Sequence, residues 1–187
     1  MPQGFLMHTA CEPVLILAPF GRDGQMLEQT MRGAGVAALR CDTITQLRRP
    51  MQTGAGGLLL TEEALGPRAI EELLRLLDDQ PAWSDLPLLV LVGGAGRGDR
   101  SDDLARALGE RTNATYLERP VHRTMLLSAV SSALRARGRQ YEARDLIEAH
   151  AASEAREHEA RADAEAAIAM RDEFLGLASH ELRTPLT

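Results

Sequence analysis

The residues best equipped for chemistry lie in the stretch "FLGLASHELRTPLT", residues 174–187, which carries His180 directly beside Glu181, with Thr184 and Pro185 close behind. An imidazole displayed to solvent near neutral pH is partly unprotonated and nucleophilic. A neighbouring carboxylate can orient that ring, or take up its proton while an electrophile such as phosphorus is attacked. Pro185 lacks a backbone donor and bends a helix just past the histidine, which opens space for an incoming reactant. The other local candidates are poorer. The "GGAGRGD" run, residues 93–99, lacks the lysine and following hydroxyl of a phosphate-binding loop and reads as a surface loop. Cys11 and Cys41 are too few and too isolated for a disulfide framework or a zinc site, and read as reduced thiols of a cytosolic protein.

The elements that must position this segment fall into two parts. At 187 residues, 44% hydrophobic and 26% charged, the chain has room for one α/β domain plus an appendage. A net charge of -6 argues against a nucleic-acid-binding surface. The amino terminus, "MPQGFLMHTACEP", has neither the basic start nor the long apolar run of a signal peptide. The most apolar run, "LPLLVLVGGAG", is far shorter than the roughly 20 residues that cross a bilayer. A cytoplasmic protein without membrane contact is therefore expected.

Up to about residue 137, short apolar runs alternate with amphipathic stretches. Residues 14–20, 37–42, 57–61, 86–92 and 114–118 read as strands, several of them apolar without alternation, as when helices cover both faces of a parallel sheet. Helical patterns occupy "GQMLEQTMRGAG", with Met26, Leu27, Thr30, Met31 and Ala34 on one side, and "PRAIEELLRLLDD", with Pro67 in its first turn and a stripe of Ile70, Leu73, Leu74 and Leu77. "SDDLARALGE" and "HRTMLLSAVSSALRA" complete the set. Five strands interleaved with these helical patterns predict a doubly wound, five-stranded parallel sheet, whose chemistry belongs at the carboxyl ends of the strands.

From about Gly138 the strand signal ends, and a tract rich in Ala, Glu and Arg predicts one long helix continuing from the last helix of the domain. Ile147, Ile168, Leu175 and Leu182 are separated by multiples of seven, with Ala164 and Ala178 at the companion spacing. This is a sparsely filled heptad seam that buries itself best against a second copy, as a parallel two-stranded coiled coil. Glu154 and Arg161 occupy the intermediate core positions and make its centre marginal. In this register His180 falls on the outward side of the helix. The alternative is an extended helix packed on its own domain.

The whole string "FLGLASHELRTPLT" closely resembles the phosphoacceptor box of bacterial sensor histidine kinases, F-x-x-x-x-SHELRTPL, which marks the first helix of their dimerisation and phosphotransfer domain. The resemblance implies that His180 is phosphorylated from ATP, that Glu181 is the neighbouring acid/base group, and that Thr184 helps to orient water when a partner is dephosphorylated. Family members continue with a second helix and an ATP-binding domain. Neither is in this sequence, so a fragment of a longer kinase is expected, holding no cofactor itself and relying on a catalytic domain elsewhere for ATP and magnesium.

The first domain resembles a response-regulator receiver, with "YLERPV", residues 116–121, similar to the receiver's fifth strand and its lysine–proline step. By that resemblance the magnesium-binding acidic pair falls at Ala18 and Pro19, the phosphoacceptor aspartate at Thr61, the hydroxyl residue at Val92 and the lysine at Arg119. Only the cation survives. Asp23 lies several residues too late in the sequence, Asp42 ends a predicted edge strand away from the site, and Glu62 and Glu63 follow Thr61, where an ion pair with Arg119 would hold the switch region in one state.

Together these readings predict a flexible amino terminus (1–11), a flavodoxin-like, receiver-like α/β domain (12–137), a coiled-coil signalling helix (138–172) and the start of a histidine phosphotransfer domain (173–187). The implied partners are a second copy paired through 138–187, a response-regulator receiver that accepts the phosphoryl group, and an upstream protein docking on the receiver-like domain. Two rivals stand beside this reading. One is a non-catalytic interaction module dimerised by its helix, and the other is a true receiver phosphorylated by another kinase.

Overall fold

The structure, a computed structural model, describes residues 12–93 and 98–183, apart from the side chains of 98–102, 110, 169 and 172–183. The amino terminus 1–11 with Cys11, most of the "GGAGRGD" run and the segment from Thr184 onward lie outside the described residues, as do the side chains of His180 and Glu181.

The strands are β1 (Val14–Leu17), β2 (Ala38–Cys41), β3 (Gly57–Thr61), β4 (Leu88–Val92) and β5 (Ala114–Glu118). The helices are α1 (Asp23–Arg32), α2 (Ile44–Thr53), α3 (Pro67–Asp78), α4 (Gly98–Leu108) and α5 (Arg123–Arg183). All strand pairs are parallel, in the order β2-β1-β3-β4-β5. This is the doubly wound, flavodoxin-like arrangement expected from the sequence.

The unbroken apolar runs have a direct cause. Every residue of β1, β3 and β4 is buried, because both faces of the sheet are covered, whereas the edge strands β2 and β5 keep exposed positions. On one face Leu15, Leu17, Leu58, Leu60, Leu88 and Val90 pack with Ile44 and Leu47 of α2, Leu73 and Leu77 of α3 and Leu104 and Leu108 of α4. On the other, Val14, Ile16, Leu59, Leu89 and Leu91 pack with Leu27 and Met31 of α1 and Leu126 and Val130 of α5. Adjacent strand residues thus feed two separate cores, as the period-two alternation of a strand requires.

Several elements depart from expectation. β1 ends at Leu17 rather than 20, and β4 begins at Leu88 rather than 86. Helix α2 is absent from the sequence reading because Pro50 lies inside it; a proline removes one ladder donor and ordinarily marks a helix end. Its buried anchors, Ile44 and Leu47, precede the proline by more than one position and hold the first turn. In α1 the inward stripe is Gly24, Leu27 and Met31, while Met26, expected on that side, is exposed. Gly24 allows the close approach: a Cβ there would lie 2.9 Å from the carbonyl oxygen of Ala18.

The chain divides into two compact units, Met1–Glu142 and Ala143–Thr187. Within the second, α5 carries the same-helix ion pair Arg161–Glu165 (3.1 Å). Ile147 and Ile168 are 65% and 53% exposed. No helix among the described residues is long and apolar enough to cross a membrane.

Candidate functional site

The carboxyl ends of β1, β3, β4 and β5 converge on Arg119, the residue that follows β5. Its backbone N–H donates to the Val92 carbonyl at the end of β4 (2.9 Å), and Pro120 follows it across a cis peptide bond. Its guanidinium reaches two carboxylates from distant parts of the chain. Nη1 donates to Oδ2 of Asp23 at 3.0 Å, and Nη2 donates to Oε1 of Glu63. A planar fork with fixed donor directions suits this double engagement better than a point-charge ammonium would.

Local sequence explains how the partners arrive. After β1 the chain turns through Gly21, whose φ of 66° lies in the left-handed region that glycine enters without penalty. α1 then starts at Asp23, at the carboxyl end of the sheet. After β3 a short 3-10 turn, Glu62–Ala64, sends consecutive side chains in different directions. Glu63 meets Arg119. Glu62 turns inward, is 1% exposed, and its Oε2 accepts a hydrogen bond from the Gly93 N–H at 2.7 Å. The end of β3 is thereby tied both to the start of the loop after β4 and, through Arg119, to β5 and α1.

Among the positions matched to a receiver's reactive residues, Ala18, Thr61 and Val92 are buried and Pro19 is exposed. Two details differ from the sequence reading. Asp23, set aside as too far along the chain, is a direct partner of Arg119. Glu62, expected beside Arg119, bonds instead to the backbone after β4. Asp42 follows edge strand β2 and pairs with Arg40 at 3.6 Å, away from this cluster. Tyr116, two residues before the end of β5, was not singled out by sequence. Its hydroxyl is buried with no hydrogen-bond partner among the described residues, and burial pushes its pKa above 10.0. Cys41 is a free, buried thiol; burial raises its pKa, and neighbouring Asp42 adds to the effect.

A receiver's magnesium does not fit these residues. Divalent magnesium requires several oxygen donors in near-octahedral array. Here the Arg119 guanidinium lies against both nearby carboxylates, Asp23 and Glu63, and the strand ends contribute a methyl group at Ala18 and an isopropyl group at Val92. Among the described residues no three His, Cys, Asp or Glu side chains gather to hold a metal ion. The cluster can therefore join strand ends electrostatically without a metal.

No protein-family model matches the sequence, and no curated protein matches it. Its fold does match solved structures. A response regulator receiver domain protein from Clostridium thermocellum superposes with a TM-score of 0.54 at 17% identity, covering 67% of this chain and 95% of that one. The receiver domain of a sensor histidine kinase from Pseudomonas aeruginosa PAO1, crystallised with magnesium in its active-site cleft, gives 0.52 at 19% identity over 66% and 97%. A structure described as adenylate cyclase from Rhodopirellula baltica gives 0.55 at 12% identity over 73% and 97%. At these identities the similarity establishes a receiver-like fold, and the differing descriptions show that this fold serves more than one kind of protein.

Proposed function

We propose that this chain is the regulatory, amino-terminal part of a cytosolic sensor histidine kinase. Its receiver-like domain works without phosphoryl chemistry, and its long helix leads to the phosphoacceptor His180. The observation that carries the reading is the course of α5, a single helix from Arg123 through Arg183 that leaves the α/β domain and includes the "SHELR" residues. A signal held in the domain has an unbroken hydrogen-bonded path to the position of the histidine.

In this reading the Arg119 cluster takes the place of a phosphorylation-dependent switch. A receiver changes state when a phosphoryl group arrives at the end of β3; here the carboxyl side chains of Glu62 and Glu63 already stand at that place, and each is engaged across a strand boundary. The domain is held in one state, and a partner protein changes output by binding it. The paired helices present His180 to an ATP-binding domain outside this chain. Its imidazole nitrogen attacks the γ-phosphorus, ADP departs, and Glu181 accepts the imidazole proton. The phosphoryl group then passes to an aspartate of a response regulator. Thr184 is assigned to orienting water in the reverse, dephosphorylating direction. Homodimerisation through the seam at Ile147, Ile168, Leu175 and Leu182 belongs to the same proposal. The marginal centre at Glu154 and Arg161 makes local rearrangement inexpensive, which suits a conduit.

The test is label transfer. The chain is incubated with γ-labelled ATP and a separately supplied histidine-kinase ATP-binding domain. Acid-labile, base-stable label on the wild-type chain and none on His180→Gln supports the reading. Absence of label on the wild type, with the ATP-binding domain shown to be active on another substrate, leaves the non-catalytic interaction module as the better account.

A further inference from the structure

A second arginine sits at the opposite end of the sheet and has no counterpart in the reading above. Arg137 of α5 is only 5% exposed. Its Nε donates to the Ala55 carbonyl (3.2 Å), Nη1 to Ser84 Oγ (2.7 Å) and Gln140 Oε1 (2.8 Å), and Nη2 to the Tyr141 hydroxyl (3.0 Å). The guanidinium carbon lies 5.2 Å from the ring centre of Trp83 and 4.6 Å from that of Tyr141, and the two rings are themselves in contact at 5.1 Å. Gln140 closes a reciprocal tie with the Asp85 backbone, donating to its carbonyl (2.7 Å) and accepting from its N–H (3.0 Å). The Tyr141 phenol is also hydrogen-bonded to Glu12.

Glu12 precedes β1, Ala55 precedes β3, and Trp83, Ser84 and Asp85 precede β4. One helical turn and a little more of α5 is therefore bonded to the amino-terminal edges of three strands. Burying a guanidinium is costly unless its donors are satisfied, and an apolar side chain would fill the same space at lower cost. What the arginine adds is direction. Apolar packing tolerates sliding and rotation of a helix, whereas the directional bonds from Arg137 to Ala55 and Ser84, together with the Gln140–Asp85 tie, specify one axial and rotational setting. Two further facts mark this place. Gly138, the next residue, is a weak point in a helix, because glycine has more backbone freedom to lose than alanine. Beyond Tyr141 no described residue of α5 is buried.

We propose that Arg137, with Trp83, Gln140 and Tyr141, is the clasp that sets the position and rotational phase of α5 where it leaves the α/β domain, and that its release frees the helix to bend at Gly138. Arg137 is thus a positioning residue of the output path. The inference deepens the reading of α5 as a conduit and rests on it for its significance, but it concerns a different property from phosphoryl uptake.

Amide hydrogen exchange on the full chain tests it. In Arg137→Met, which keeps the apolar stem and removes the fork, exchange of amides 138–146 should accelerate at least ~10-fold while those of β1 and β3 change less than ~3-fold, the pattern of local rather than global opening. Adding Gly138→Ala should then slow the same helix amides by roughly 2- to 5-fold, the equilibrium effect of a glycine-to-alanine change in a helix. Arg137 is an ordinary core residue, and the clasp is refuted, if the helix and the strands loosen together or if amides 138–146 are unaffected. Should Arg137→Met fail to fold, Gln140→Ala removes the Asp85 tie and one Arg137 acceptor, leaves the Arg137 bonds to Ala55, Ser84 and Tyr141, and must accelerate those same amides; unchanged exchange there is equally fatal. None of these readouts involves His180, so failure of the clasp is separable from failure of the kinase reading.

Discussion

Replacing Arg119 by methionine removes the guanidinium and keeps most of the apolar stem. Arg119 is 25% exposed in its side chain, Glu63 33% and Asp23 47%, so neither ion pair is fully screened or fully desolvated. Pairs near a surface contribute roughly 0.2–1 kcal/mol each, and the Asp23 pair belongs toward the lower end because it is nearly half exposed. Loss of both pairs should therefore cost about 1 kcal/mol. The repulsion left between the Asp23 and Glu63 carboxyl groups brings the total to about 1–2 kcal/mol, or a fall of roughly 2–8 °C in Tm for a chain of this size. Because the effect is electrostatic, raising ionic strength from ~0.1 M to ~1 M, which shortens the screening length from ~10 to ~3 Å, should shrink the difference between wild type and variant substantially. The decisive assay is a thermodynamic cycle by urea unfolding, with Arg119→Met introduced into wild type and into an Asp23→Asn, Glu63→Gln background. In the neutralised background the arginine should be worth less than ~0.5 kcal/mol. If Arg119→Met is as stable as wild type, or costs the same in both backgrounds, the charge cluster does not join the strand ends and the account of a permanently set switch fails.

Two further outcomes follow from the same geometry. Tyr116 and Tyr141 both ionise above their ordinary value of 10.0; burial is the main cause in each, and in Tyr141, pushed up to about 12, the hydrogen bond to Glu12 adds to it while Arg137 opposes it. The native state thus retains phenolic protons that the unfolded chain releases near pH ~10, so stability is complete below that pH and falls as pH rises from ~10 toward ~12. Spectrophotometric titration should show little tyrosinate in the folded chain at pH ~10, and Tyr141→Phe should flatten the decline; a folded tyrosine titrating normally contradicts the burial argument. On the helix, Glu154→Leu with Arg161→Leu fills two polar core positions of the proposed seam, and sedimentation equilibrium should show dimer dissociation reduced at least ~10-fold, about 1.4 kcal/mol. An unaltered monomer–dimer balance removes the heptad register.

The sheet was legible because its signal is local. "VLIL", "GLLLT" and "LLVLV" are apolar at successive positions, and only a strand covered on both faces needs that. The long helix was legible for a similar reason, in a tract of helix formers with few interruptions. Helix α2 was obscured by Pro50, which locally signals an end and is tolerated because Ile44 and Leu47 are anchored in the core. The charged sites were legible only in part. Arg119 stood out through its place before Pro120, yet its partners are 56 and 96 residues away, and nothing near Asp23 indicates that a turn at Gly21 delivers it there. Arg137 reads as an ordinary solvated charge within a polar helix, and its burial depends on residues 53 and 82 positions distant.

By itself, then, the sequence determined the class of fold, the continuity of the last helix and the presence of a histidine-centred motif, because periodicity and composition act between neighbours along the chain. Tertiary structure alone decided which carboxylates meet Arg119, which way Glu62 turns and that Arg137 is enclosed. Those outcomes depend on where separate strand ends arrive in space, and a directional bond between distant residues leaves no periodic trace in either of the segments it joins.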